Sequence, residues 1–364
     1  MKDGGKVGLR EGKVVPDPFP RRVWAPCGQG CLVSDASPPF DTRMHVVSNQ
    51  IAGEYVGGET YLLLDLQVKA GRIVRVERMS DGATVAATLA RGHQTRGGLG
   101  WRGGSAPLIP AIDDGEKLLF GRVSPSPGAP IAWHSAWLTS FPSVANERFG
   151  FDDGYGLATY SELLLLKSRS ASEADVVLSP GAGLAHGRGP QLVWGYGKGP
   201  IRSYTTTAGQ VDLITVPTLR EAVAVRLSDD RIVWIDAARP VDVYEGAQWH
   251  WSPRATAAAG IVVHDGPAIP TVGLVTDMHT TGTWAVADGL LGPAATEVRI
   301  YFWNLASGET WILPNRAGRV FQRILAVTPK EVVIGERNGS SEASSIDSLL
   351  RIELAAVPAL VANW

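Results

Sequence analysis

The chain is 364 residues long and 45% hydrophobic, with 34 basic and 36 acidic residues and a formal net charge of −2. It can bury a large core, in one repetitive domain or two ordinary ones, and its charge excludes an overall attraction to nucleic acid or to an anionic membrane. No run approaches the roughly 18 to 20 apolar residues that span a bilayer.

Met1 to Pro20 is rich in Gly, Pro, Lys and Asp and reads as a loose lead-in, 1–20, to a domain covering 21–364. Its start, Met1-Lys2-Asp3-Gly4-Gly5, carries no apolar segment like a secretory signal. Either the protein stays in the cytoplasm, or this is a mature form whose signal is replaced by a start Met. The only cysteines, Cys27 and Cys31, favour the second reading. In Cys-Gly-Gln-Gly-Cys the glycines let a short loop close, and a disulfide there points to the periplasm or the cell exterior. A zinc site needs about four ligands, and neither a second Cys pair nor a nearby His pair accompanies this one. Two buried thiols are the plain alternative. Arg22 to Ala25 and Cys31 to Ser34 are placed to pair across the loop.

A set of four strands begins near Met44: His45 to Ser48, Thr60 to Leu66, Arg72 to Arg78 and Ala83 to Leu89. The last two are joined by Met79-Ser80-Asp81-Gly82, a tight turn in which Gly takes a positive φ at no steric cost. The same strand, Gly turn and strand recur at Ile201 to Ile214 and at Arg299 to Leu313. A shift of 99 lays Gly308 on Gly209 and Trp303 on Tyr204. A second repeat is Leu192-Val193-Trp194-Gly195-Tyr196, which returns 40 residues later as Ile232-Val233-Trp234-Ile235-Asp236. Four short runs bounded by turn residues fill that period, as consecutive antiparallel strands do. Four strands in about 40 to 45 residues is one propeller blade.

Equivalent second strands are expected at Tyr61 to Leu66, Lys117 to Val123, Glu162 to Lys167, Gln191 to Tyr196, Arg231 to Asp236, Thr283 to Asp288 and Glu331 to Glu336. The interval from 162 to 191 is only 29 residues, so either a blade is truncated there or one of the two assignments is out of phase. Insertions are expected around Gly97 to Pro110 and Val243 to Ala258. Helical periodicity is nearly absent. The fold read from this is all-β: a single β-propeller of seven blades, with six or eight as alternatives, each a four-stranded antiparallel sheet. Val23 to Ser34 and Ile352 to Trp364 are the pieces available to close the ring and remove open sheet edges.

The segment Leu227-Ser228-Asp229-Asp230-Arg231-Ile232-Val233-Trp234-Ile235-Asp236, followed by Val241 to Tyr244, resembles the TolB-like or PD40 (WD40-like) β-propellers of the bacterial periplasm and cell surface. Val327 to Gly335, followed by Ser348 to Leu354, is a second instance. These motifs are structural, so the resemblance implies a fold and a setting and carries no catalytic residue. Most blades lack the Ser-Pro-Asp-Gly turn of that family, which bears on blade number more than on fold.

Catalytic chemistry is hard to assemble. Asp113-Asp114, Asp152-Asp153 and Asp229-Asp230 are adjacent pairs, whereas a glycosidase holds two carboxylates about 5 to 10 Å apart across a sugar; such pairs more often serve hairpin turns. Asp65, Asp236, Asp288 and Glu336 differ, because they lie near the ends of equivalent strands and are placed to gather at one rim of a central channel. The plain reading is that strand ends are where solvent begins. The histidines His45, His93, His134, His186, His250, His264 and His279 follow no metal spacing, so neither a metal nor a cofactor is expected.

Twelve Trp residues offer stacking surfaces or interface anchors. Trp194, Trp234 and Trp303 suit the space between neighbouring blades. Trp249, His250 and Trp251, read as part of a loop, are the binding candidates. The function expected is a non-enzymatic scaffold whose rim loops meet a protein partner; the alternative is a carbohydrate-binding or carbohydrate-cleaving propeller. Nucleic acid is not an expected partner.

Overall fold

The computed structural model describes residues 21–36, 46–56, 58–68, 71–90, 108–112, 117–122, 132–137, 147–151, 154–158, 163–167, 176–178, 186–188, 191–195, 197–205, 208–216, 218–227, 231–238, 245–253, 264–268, 272–291, 298–340 and 346–364. These residues are almost wholly strands, and the strands fall into antiparallel sheets of near neighbours in sequence. After β1 (Ala25–Gly28) and β2 (Cys31–Asp35), a first sheet is built from β3 (Val46–Val56), β4 (Glu59–Val68), β5 (Gly71–Arg78) and β6 (Ala83–Ala90). A three-stranded sheet of β7 (Leu108–Ile112), β8 (Lys117–Arg122) and β9 (Ala132–Trp137) follows. The next contains β10 (Glu147–Phe151), β11 (Gly154–Ala158), β12 (Leu163–Lys167) and β13 (Val176–Leu178). Then come β14 (His186–Arg188), β15 (Gln191–Trp194), β16 (Pro200–Thr205) and β17 (Gly209–Thr215). Two more sheets comprise β18 (Glu221–Leu227), β19 (Arg231–Ala238), β20 (Glu245–Pro253) and β21 (His264–Ala268), and β22 (Val272–Thr281), β23 (Trp284–Leu291), β24 (Val298–Asn304) and β25 (Thr310–Leu313). The last joins β26 (Arg319–Val327), β27 (Glu331–Asn338) and β28 (Ser348–Glu353) to β2 and β1.

First strands of successive sheets meet one another: β10 packs on β14, β14 on β18, β18 on β22, β22 on β26, and β26 returns to β3. An array of meanders that touch through their first strands is the arrangement of a β-propeller, traced here from β10 round to β3. The sheets hold three to five strands among the described residues, not uniformly four. Close approach at the junction of last and first sheets is allowed by Gly53, where a Cβ would stand 2.5 Å from the Leu325 carbonyl oxygen.

The two sequence repeats have direct structural counterparts. Trp194 and Trp234 both lie in second strands and are 1% and 2% exposed. Gly209 and Gly308, with φ of 68° and 75°, sit in the turns between third and fourth strands. The short interval also finds its explanation, because β12 is the third strand of its sheet and β11, at Gly154–Ala158, is the second.

Ser348 to Glu353 pairs with β2 in the register Cys31 to Ile352 and Asp35 to Ser348. Beyond it the chain turns helical, so of Ile352 to Trp364 it is Ile352 that pairs with β2. A 3-10 turn at Leu354–Ala356 leads into α1 (Val357–Asn363), with proline in its first turn, where an amide hydrogen is not needed. Val357 and Leu360, three residues apart on one helix face, bury in a core shared by the last two sheets. Cys27 and Cys31 are joined, with Cα atoms 5.2 Å apart, across the β1–β2 hairpin. Arg22 fastens that hairpin to the first sheet: its guanidinium gives hydrogen bonds of 2.7 and 3.1 Å to the Glu77 carboxylate on β5 and donates to the carbonyls of Asp35 and Ala36.

Candidate functional site

The acidic residues singled out in sequence occupy one structural position. Asp65, Asp236, Asp288 and Glu336 lie in β4, β19, β23 and β27, each a second strand, opposite Gln50, Ala222, Asp277 and Phe321 of the adjoining first strands. The Asp65 side chain lies outside the described residues. The other three do not open onto a rim; they are 2%, 0% and 0% exposed. Buried carboxylates need partners, and each has its own set.

Arg220, at the end of the connection into β18, donates from Nε to Asp236 Oδ1 at 2.5 Å and from Nη2 to the Asp236 carbonyl at 3.0 Å. His250 Nε2 lies 3.0 Å from Asp236 Oδ2, and its ring stacks on Trp234 with centroids 5.2 Å apart. Burial alone would raise the Asp236 carboxyl, but the bonds from His250 and Arg220 outweigh it and hold the group below the usual aspartate value. Glu336 repeats the device: Arg316, on the connection into β26, donates from Nε at 3.1 Å and also from Nη2, and Ser348 Oγ donates at 3.1 Å. Asp288 instead accepts the Ile324 amide of the next sheet at 3.3 Å. The three acids therefore clamp connections and neighbouring sheets, and no shared reacting atom lies between them.

Trp249, His250 and Trp251 also change role. They are consecutive residues of β20, the third strand of its sheet, and not loop residues. Alternation along the strand sends Trp249 into the core at 0% exposure, 5.5 Å from Trp303 between ring centroids. His250 points to the Asp236 side, and half-buried Trp251 carries the Arg231 guanidinium 4.7 Å above its ring. A tryptophan sealed in a core presents nothing to a partner.

The converging groups lie at the other end of the first strands. A small cavity, open to solvent at its mouth, is bordered by residues of β3, β14, β18, β22 and β26, the first strands of five sheets. Its polar lining is Tyr55, His186, Arg226, His279 and Thr280. Arg226 is 7% exposed and donates to the Val225 carbonyl at 3.0 Å. The Leu227 amide donates to His186 Nδ1 at 3.1 Å, which fixes the imidazole proton on Nε2. Thr280 Oγ1 donates to the Trp284 carbonyl at 3.0 Å. None of the described lining residues is Asp or Glu.

Sequence reasoning listed His186 and His279 only as scattered and did not notice Arg226. A signal was present: Arg226 and His279 each stand within the last three residues of a first strand, which end at Leu227 and Thr281. Asp113-Asp114, Asp152-Asp153, Asp229-Asp230 and Gly97 to Gly104 lie outside the described residues. Among the described residues, no group of three or more His, Cys, Asp or Glu is placed to hold a metal, and no helix is long and apolar enough to cross a membrane.

No family model matches the sequence, and no curated protein matches it. Solved structures similar to it include the RRP9 WD40 repeats, at a TM-score of 0.48 and 9% identity over 85% of this chain and 97% of that one. Sqt1 of Saccharomyces cerevisiae is similar at 0.45 and 7%, over 85% and 98%. The computationally designed Ika8 protein is similar at 0.47 and 11%, over 85% and 98%. At such distances neither partner nor activity transfers, and the propeller arrangement rests on the sheet order and first-strand contacts.

Proposed function

We propose that the chain is a non-enzymatic, seven-bladed propeller of the TolB-like bacterial type that presents rim connections to a protein partner. The observation that carries this reading is Leu219, 88% exposed on the connection between β17 and β18, next to an Arg220 bonded to the buried Asp236. A single exposed leucine is ordinary. This one is held up by backbone tied to the sheet through a buried ion pair, so little conformational freedom is lost when a partner covers it. Binding needs such an anchor on a rigid support, whereas the carboxylates that chemistry would use are engaged in clamping.

The same reading takes each sheet as one blade and residues 21–364 as one domain behind a 1–20 lead-in. It places the protein in the periplasm or at the cell surface, supported by the Cys27–Cys31 bond. Thiol labelling of freshly isolated, unreduced, denatured protein should find no free thiol; two free thiols remove the support for export. For partner binding, Leu219→Asp should abolish cross-linking to a partner protein in native extract while shifting stability by no more than about 0.5 kcal/mol. Turnover of a polysaccharide or peptide library by the purified protein would overturn the scaffold reading.

A further inference from the structure

The chain contains six asparagines, and only Asn338 is followed two residues on by serine or threonine, in Asn338-Gly339-Ser340. That triplet is the acceptor motif for an N-linked glycan, and it needs a surface position in an exported protein. The fold supplies the position. Asn338 ends β27, and it is exposed together with Gly339 and Ser340, whereas Val332 to Glu336 are buried. The backbone there is held in place: the Asn338 amide donates to Asp347 Oδ2 at 2.6 Å and the Gly339 amide to the Gly318 carbonyl at 3.0 Å. Within the motif, the Ser340 amide and hydroxyl donate to Asn338 Oδ1 at 3.2 and 3.1 Å. A backbone amide can only donate, so the atom it meets is the side-chain oxygen and not the nitrogen. Oδ1 is thereby turned back on the chain, and Nδ2, the atom a sugar joins, has no hydrogen-bond partner among the described residues. The surroundings leave room for a bulky group. Ala317 and Gly318 beside the motif are exposed, and a Cβ on Gly339 would meet only the Gly318 carbonyl oxygen, at 3.7 Å.

We propose that Asn338 is a glycosylation site, carrying an oligosaccharide transferred from a lipid-linked pyrophosphate donor. The proposal rests on the export reading, which the Cys27–Cys31 bond supports. In the transfer, Asn338 Nδ2 forms a bond to the anomeric carbon of the sugar, and that carbon's bond to the pyrophosphate oxygen breaks. The Nδ2 proton departs with the pyrophosphate leaving group. Ser340 belongs to the motif but not to the product, so losing its hydroxyl removes the modification without touching the acceptor atom.

The test isolates the full chain unreduced from its own cells, labels its free thiols, cleaves it after arginine and reads the mass and fragments of the peptide 338–351. That peptide should carry hexose or hexosamine mass, with the fragments placing it on Asn338. Ser340→Ala, made in the same cells, should lose the added mass, and Ser341→Ala should keep it. Sugar that survives Ser340→Ala, or that fragments to a serine of the peptide, would overturn the site. An unmodified peptide from protein without free thiols would overturn the site and leave the export reading standing. An unmodified peptide from protein with two free thiols would overturn both.

Discussion

Replacing Trp249 by alanine separates a core strand from a binding loop more sharply than any other single change. The indole is fully buried in β20, packs 5.5 Å from Trp303 and belongs to a cluster with Val233, Ile235, Ala247 and Tyr301. Its Nε1 has no protein hydrogen-bond partner among the described residues, so the loss is one of packing. Truncating a buried Trp to Ala costs about 3 to 5 kcal/mol, because transfer and cavity terms add. With roughly 2 to 4 °C per kcal/mol for domains of 150 to 250 residues, and less for a longer chain, the unfolding temperature should fall by about 5 to 10 °C. Trp251 supplies the internal control. It is only half-buried, packing on the edge of the same cluster with the Arg231 guanidinium over its ring, a contact worth about 1 kcal/mol, so its truncation opens less of a cavity. Urea unfolding of Trp249→Ala, Trp249→Phe and Trp251→Ala should therefore rank them first, second and third in destabilisation. A Trp249→Ala protein that keeps the wild-type midpoint would refute the buried placement and return this residue to the surface.

Asp236→Asn should destabilise at neutral pH by roughly 3 kcal/mol, since it strands Arg220 and His250. The folded carboxyl lies below its unfolded value of 3.8, so the stabilisation is present above that value and lost as pH falls through the folded one. The gap between variant and wild type should thus narrow below about pH 4 in denaturant titrations, and a constant gap would remove the charged pair as its cause. Burial pushes the Tyr301 hydroxyl up to about 12 from 10.0, so stability should decline between those pH values by about 2 to 3 kcal/mol. Tyr301→Phe should escape that decline and be neutral or stabilising at pH 7, the hydroxyl having no protein partner among the described residues; a marked loss at pH 7 would contradict this. Gly53→Ala should cost about 1 to 3 kcal/mol by driving β3 off the Leu325 carbonyl, and an unchanged melting temperature would show that the ring junction is looser than described.

Much of the fold was legible because a propeller meander is local. Antiparallel neighbours a few residues apart write their alternation and turns directly into sequence, as at Gly209 and Gly308. What failed was phase and burial. Leu163-Leu164-Leu165-Leu166 is apolar enough to pass for any buried strand, and nothing in the run distinguishes a second strand from a third. Trp249-His250-Trp251 passed for a loop because flanking Gly, Ala and Pro hid a strand whose alternate residues face a core and an ion pair.

The axial groups were harder to find, for a geometric reason. Arg226 and His279 are 53 residues apart and His279 and Ala326 are 47 apart, so no fixed period superposes them. Connection length varies from sheet to sheet, while the end of a first strand always returns to the axis. Counting from strand ends rather than along the chain brings Tyr55, Arg226, Thr280 and Ala326 onto one position, each the penultimate residue of its first strand, with His279 beside Thr280, and His186 joins them through its bond to the Leu227 amide. The acids at the opposite strand ends were visible for the converse reason: each sits in a strongly apolar second strand, where a carboxylate amid hydrophobic residues stands out. That conspicuousness reflects burial, and a buried carboxylate held by Arg220 or Arg316 has its charge committed to the fold.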